Sequence, residues 1–499
     1  MKILLFLLSF FLIISNKVWS QTDTTVDRTR HSAVYSAEVA GLGATGPRTP
    51  FWLRANQFGI IPANSPAGIA IVSANHTYKF SPYRSRQLSY GVEVVGQAGR
   101  ASRVVLPQAY VSLDLGRFSL WGGRRKEIIG LGDSTLTSGF YAWSGNALPI
   151  TKVQFGTNGF APLGFTRNLI WVHGFFAHGW FANSDSLQGA YLHQKALYVR
   201  LGKPGWRVRF TGGVLHNAQW GGRSTFVPSL KATNWQLPDS FSDYLYVLTA
   251  REGGPPDSPN LTDHDRVNRI GNHLGSIDFG IEADLGRWQA MGYYQHPFED
   301  KSGVAFQNMP DGLYGLRLQR QSDAGFRIDH ILVEYLNTMS QSGSLIGVSR
   351  YDGKDDYFNN FQYLDGWAHD RNVIGTPFLS RRADIRADLP YGPERRIWAI
   401  ANNQVQLYHL AVAGTAGQSR NGQLVRWQIK LSASQNHGAP RLGFQQPIGQ
   451  FSGLASVVWP LNWLGGSELR TSLALDQGQL LTNAVGGWLS LRKTWKTKR

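Results

Sequence analysis

Between Ile277 and Gln295 the chain alternates strictly and then turns back on itself. Ile277, Phe279, Ile281, Ala283 and Leu285 fall on one face, while Asp278, Gly280, Glu282 and Asp284 fall on the other. A period of two is that of a β-strand with one apolar and one wet face. Gly286-Arg287 suits a two-residue hairpin turn, because glycine takes the positive φ that such a turn demands. The turn sets the register, so Trp288, Ala290, Gly292 and Tyr294 join the apolar face, and Gln289, Met291, Tyr293 and Gln295 the wet one. A soluble sandwich would alternate in the same way. The connections separate the two cases, since a two-residue turn stands at one end and long polar stretches, Arg251–Ser276 and His296–Gly312, at the other. Short turns at one rim and long loops at the other characterise outer-membrane barrels. This places Gly286-Arg287 at the periplasmic rim, with Trp288 in an aromatic girdle.

The N-terminus points the same way. Lys2 is followed by a mostly apolar run from Ile3 to Ile14, and Val18-Trp19-Ser20 has the small residues of a cleavage site, so residues 1–20 read as a secretory signal. No later run reaches the roughly 18 apolar residues of a membrane helix. The chain has no cysteine, which excludes disulfides and a lipid-bearing cysteine. Export without a membrane helix leaves a secreted protein or a barrel. Seventeen Trp, 56 Gly and only 17% charged residues favour many short strands with amphipathic rings to place. No linker divides the chain. The expected organisation is a signal peptide (1–20), an N-terminal periplasmic or plug segment (21–68) and a transmembrane β-barrel (69–499).

Sixteen strands can be picked out by alternation from Ile69 to Trp495, with one or two more expected. The turn sequence DLGRF (Asp114–Phe118) repeats DLGRW (Asp284–Trp288), and LGKPGW (Leu201–Trp206) is a third variant, so hairpins recur on one rim. Lys126–Lys152, Gly221–Ser276 and Gln341–Arg396 lack clean alternation and are long enough to fill a lumen.

Nine stretches carry a family likeness: TPFWLRANQFG (Thr49–Gly59), WGGRRKE (Trp121–Glu127), SGNALPITK (Ser144–Lys152), YLHQKALYVR (Tyr191–Arg200), GGVLHNAQWGG (Gly212–Gly222), GNHLGSIDFG (Gly271–Gly280), YYQHPFEDKSG (Tyr293–Gly303), NMPDGLYGL (Asn308–Leu316) and DDYFNNFQYLDGW (Asp355–Trp367). With these the chain resembles the capsule assembly protein Wzi family. The resemblance implies an all-β outer-membrane barrel of about 18 antiparallel strands, its lumen plugged by loops and short helical segments. It also implies a lectin-like, non-enzymatic role in holding capsular or exopolysaccharide at the surface of a Gram-negative cell. The terminal Lys496–Arg499 departs from the usual aromatic end of the closing strand.

A glycan site needs aromatic rings for the C–H faces of sugars together with polar groups for their hydroxyls. Trp143 with Asn146, Trp220 with His216 and Asn217, and Trp367 with Asp365 and His369 meet that condition, and His296 and Asp300 stand at a loop end beside His273, Glu299 and Lys301. The candidate polysaccharide-binding residues are therefore Trp143, Asn146, His216, Trp220, His296, Asp300 and Trp367. The structural alternatives are girdle tryptophans and a charge network that holds loops inside the barrel. Glu299 and Asp300, adjacent on an extended segment, point apart, which is poor geometry for glycoside hydrolysis. Asp263, His264, Asp265 and His273 have ligand chemistry but no recognised metal spacing. No catalytic, metal or cofactor site is expected. The formal charge of +17, or +15 once Lys2 and Lys17 leave with the signal, suits an acidic glycan or the phosphates of lipopolysaccharide. Outer-membrane lipid is an expected partner, nucleic acid is not, and a monomer is the expected state. The rival function is an outer-membrane channel for glycan export or uptake. Neither the sugar nor the division between glycan-binding and plug-holding residues follows from the sequence.

Overall fold

The computed structural model describes residues 30–498 except 82–84, 226, 321–326, 343–354, 390–398, 418–423, 441–442 and 462–463. The expected signal peptide lies outside the described residues. Eighteen antiparallel strands form one closed barrel. They are β1 (His31–Ala44), β2 (Ala67–Lys79), β3 (Arg86–Gly99), β4 (Arg103–Leu115), β5 (Phe118–Arg124), β6 (Thr151–Thr157), β7 (Ile170–Trp180), β8 (Tyr191–Leu201), β9 (Val208–Trp220), β10 (Asn272–Asp284), β11 (Trp288–Phe298), β12 (Gly312–Arg320), β13 (Arg327–Asn337), β14 (Val405–Ala416), β15 (Val425–Asn436), β16 (Ile448–Leu461), β17 (Ser467–Gly478) and β18 (Ala484–Lys498). Each strand pairs with its neighbour in sequence, and β1 pairs with β18 from Ser32↔Lys498 to Ala44↔Gly486, so the sheet has no free edge.

The β10–β11 hairpin has the expected register, with Ala283 opposite Ala290 and Gly286 at φ +82° in the turn. Phe279 and Ile281 are 48% and 43% exposed on the outside, whereas Asp278 is fully buried inside. The same alternation gives β17 an outward Leu473, 65% exposed, between inward Ser472 and Ala474. On the outer surface Tyr294, Tyr314, Tyr335 and Tyr408 stand directly opposite one another across β11 to β14, with ring centroids 4.5, 6.2 and 5.0 Å apart. This is a section of the aromatic girdle at the long-loop side.

One rim carries the connections 116–117, 202–207 and 285–287, and the other carries 45–66, 125–150, 221–271, 299–311 and 338–404. Two strands went unrecognised in the sequence, β1 and β6. The first corrects the expected boundary at residue 69: His31–Ala44 belongs to the barrel wall, and only the stretch after it turns into the lumen. Its outward positions are small or mixed, Ala33, Tyr35, Ala37, Val39 and Gly41, which weakens the alternation. In β6 the inward Lys152 and Gln154 and the preceding Pro149 hide a seven-residue strand.

Candidate functional site

Three segments enter the lumen from the long-loop rim and pack together as a plug. The first contains the helical turn α1 (Phe51–Arg54); the others are residues 125–150 and the described part of 355–403. Phe51, Trp52, Tyr141, Trp143, Tyr357, Phe358, Trp367 and Phe378 form its buried core. Apolar packing alone would leave many backbone groups dry, so polar side chains join the segments. The Trp367 indole donates to the Ala142 carbonyl at 2.9 Å, the Ser144 hydroxyl to that of Gly375 at 2.7 Å, and the Asn146 amide to that of Val373 at 3.0 Å.

Inward side chains of the wall hold the plug in turn. Asp278 accepts from the Leu131 N–H and the Tyr198 hydroxyl, both at 2.9 Å. Gln295 accepts from the Tyr141 N–H at 3.0 Å and donates to the Leu131 carbonyl at 3.1 Å. Asp476 accepts from the Phe51 N–H at 2.7 Å. Leu131 of the plug packs over Gly280, where a Cβ would stand 2.7 Å from its side-chain end. Lys152, almost wholly buried, meets Glu127 at 2.9 Å and lies 5.1 Å from the Trp143 ring, 5.3 Å from that of Trp121. Burial acts to raise the Glu127 carboxyl, but Lys152 and Arg125 beside it hold it below its ordinary value.

Two connections fold over the outside of the wall instead. Residues 221–271 contain α2 (Phe241–Thr249) and α3 (Asp263–Val267); residues 299–311 contain α4 (Lys301–Val304). Ser240 and Asp243 cap α2 reciprocally, at 3.1 and 2.9 Å, and Thr262 and Asp265 do the same for α3. Beneath this collar are outward-facing residues of β7 to β11. Trp220 stacks on Tyr244 of α2 at 5.1 Å, and the Lys195 ammonium donates to the Leu248 carbonyl. His216 and His273 share a hydrogen bond of 3.0 Å, and His273 donates to the Ile270 carbonyl at 2.9 Å. His296 donates to the Gly303 carbonyl at 2.9 Å and stacks on Phe306 at 4.2 Å. Asp300 caps α4 through the Ser302 and Gly303 amides at 2.7 and 3.3 Å.

The seven sequence-predicted residues are thus not one site. Trp143, Asn146 and Trp367 are interior to the plug; His216, Trp220 and His296 lie under the collar on the outer wall; Asp300 is a helix cap. Apart from Asp300 all are less than a tenth exposed. The two acids of the supposed pair also part company, since Glu299 accepts from the Phe358 N–H at 2.8 Å. Burial, with Asp355 nearby, pushes the Glu299 carboxyl well above its ordinary value, and burial with Asp300 nearby pushes Asp355 up to about 8. Among the described residues no group of three or more His, Asp or Glu is arranged to hold a metal ion.

Sequence reasoning missed the voids on the short-turn side of the plug. One, of about 460 Å³, is lined by Trp52, Trp488, Gln319, Asp329, Arg426 and Arg470. A second, of about 500 Å³, is lined by Tyr110, Asp114, Trp121, Arg125, Glu127 and Tyr198. The Trp488 indole N–H is buried without a protein partner. Indole, guanidinium and amide groups around a space of this size can accommodate one or two sugar rings. The signal was present in the sequence as inward alternation of Arg470, Ser472 and Trp488, but which cavity they share depends on strand pairing.

A closed barrel with apolar outer wall, aromatic girdle and short-turn rim defines an outer-membrane-type β-barrel with a self-filled lumen. No family model matches the chain, and no curated relative matches it. Among solved structures it is similar to Wzi from Escherichia coli, described as a carbohydrate-binding outer-membrane β-barrel involved in group 1 capsule assembly, at 14% identity and TM-score 0.53, over 91% of this chain and 83% of that one. It also aligns with Pseudomonas aeruginosa OccK5 (8% identity, TM-score 0.47, 94% and 98% covered) and Acinetobacter baumannii OccAB4 (8%, TM-score 0.45, 95% and 100%).

Proposed function

We propose that this protein is a Wzi-like, non-enzymatic lectin of the outer membrane that holds capsular or exopolysaccharide at the cell surface. The observation that carries this reading is the plug: a lumen filled by an apolar core and tied to the wall by buried carboxylates suits a rigid platform better than a conduit. The exposed Arg223, Lys231, Arg266 and Arg371 on the long connections supply cations for an acidic glycan. Purified protein is expected to bind the polysaccharide of its own cell without shortening it. Arg266→Glu with Arg371→Glu weakens that binding most at low salt, where exposed charges are least screened. A fall in glycan chain length would overturn the non-enzymatic reading, and absence of binding would overturn the lectin reading.

A further inference from the structure

Glycan binding does not explain why the collar lies against the outside of the barrel. Loops of a barrel ordinarily project from the rim or fill the lumen, yet 221–271 and 299–311 lie against outward faces of the wall. Their undersides cover His193, His216, His273, His296 and Lys195, polar side chains on outward positions that would otherwise meet the bilayer, and accept hydrogen bonds from Lys195, His273 and His296. Among the charged residues exposed on the collar, such as Asp257 and Arg266, stand large apolar side chains that are exposed too: Phe241 and Leu245, one turn apart on α2, and Val304, Phe306 and Met309 around α4. Phe306 meets the outward Phe279 of the wall, their ring centroids 6.5 Å apart, and Phe176, Leu197 and Val214 are exposed on the outer face of the neighbouring strands. Beside the collar's apolar residues stand two cations, Arg251 stacked 4.7 Å from the Tyr246 ring and Lys301, which meets Glu252 at 2.5 Å and so ties the two collar segments together.

We infer that the collar is a docking surface for a phosphorylated glycolipid of the outer leaflet. Its acyl chains lie on Phe241, Leu245, Val304, Phe306 and Met309, and its phosphates meet Arg251 and Lys301. An amphipathic element seated at the bilayer boundary buries its apolar face among chains and its cations among anionic headgroups. A water-exposed collar would instead leave five large apolar side chains against solvent on one side of the molecule, contiguous with the lipid-facing wall.

The chain has no cysteine, so single labels can be placed cleanly. Leu245→Cys and Phe306→Cys, spin-labelled in vesicles of phospholipid with a bisphosphorylated glycolipid, should be more accessible to oxygen than to a water-soluble nickel chelate, like a Leu473→Cys control on the wall. Accessibility matching that of Asp257→Cys, on an exposed stretch of the same connection, overturns the placement. In native mass spectrometry the parent should retain the bisphosphorylated glycolipid at least tenfold better than its dephosphorylated form. Arg251→Glu with Lys301→Glu, checked for folding by heat-modifiable gel mobility, should remove that difference. Equal retention of the two lipids by the parent, or an unchanged preference in the folded variant, overturns the inference. Neither result depends on polysaccharide binding.

Discussion

Glu334 on the inner wall accepts a hydrogen bond from the Ser138 amide of the plug at 2.6 Å. The same carboxylate accepts from the Thr137 hydroxyl at 2.8 Å and the Tyr293 hydroxyl at 2.5 Å. Seven strands, β6 to β12, separate Glu334 on β13 from the entry point of this segment at β5, so the contact fastens the plug across the lumen. Replacing Glu334 by Leu strands three buried donors, each costing about 1–3 kcal/mol. Limited proteolysis should then cut residues 126–150 well below the temperature at which the barrel unfolds, whereas Glu334→Gln should be milder because it keeps an acceptor.

Lipid exposure can be graded along the wall. Arginine at Leu473, in the middle of β17, is expected to cost about 2–4 kcal/mol in a reversible lipid-refolding titration. Ala283→Arg should cost only about 0–1 kcal/mol, because Ala283 lies one residue from the strand end and its guanidinium reaches the interface. Equal costs at the two sites would contradict the assigned depth.

Much of the wall was legible because the outer surface of a barrel imposes a period of two and glycine turns set register. The β10–β11 hairpin shows both, from Phe279 outside and Asp278 inside to the turn at Gly286. The site was less legible. Trp143 and Trp367 stand among glycine and polar residues, a pattern that suits an exposed sugar platform and equally a plug whose tryptophans are covered by other loops. Only the partners distinguish them, such as Ala142 for Trp367 and Lys152 for Trp143, and Ala142 lies 225 residues before Trp367 in the chain. His216 and His296 were misleading for another reason: they sit on outward positions, where a membrane barrel would ordinarily be apolar, and a covering collar cannot be read from strand periodicity.

The tryptophans accordingly act through packing. Trp143→Ala and Trp220→Ala each remove a nearly buried indole and should cost about 3–5 kcal/mol of stability. The loss at Trp143 should appear as a loosened plug and that at Trp220 as exposure of α2 to proteolysis. If either variant keeps the parent's thermal stability while losing glycan affinity, the ring is a ligand contact after all.

Asp355 makes the outer end of the plug pH-dependent. Buried, with Asp300 and Asp311 nearby and only the Ser342 hydroxyl at 2.8 Å as counterweight, its carboxyl is raised from its ordinary 3.8 to about 8. Between those values the folded form holds a proton that the opened form releases, so stability is full below the lower value and declines as pH rises through the window. Amide exchange at Tyr357 and Phe358 should therefore show lower protection free energy at pH 8 than at pH 5, after correction for intrinsic rates. Asp355→Asn should flatten the slope, leaving the part due to Glu299, which is shifted in the same direction. A protection energy that grows with pH would contradict the assignment.

The claim that the barrel is a platform with a self-filled lumen meets its most direct test in single-channel recording. Purified protein inserted into planar bilayers should give little or no steady conductance, while Glu334→Leu should show flickering openings as its plug loosens. Large, stable open channels from the unaltered protein would contradict the account and favour a channel for glycan export or uptake.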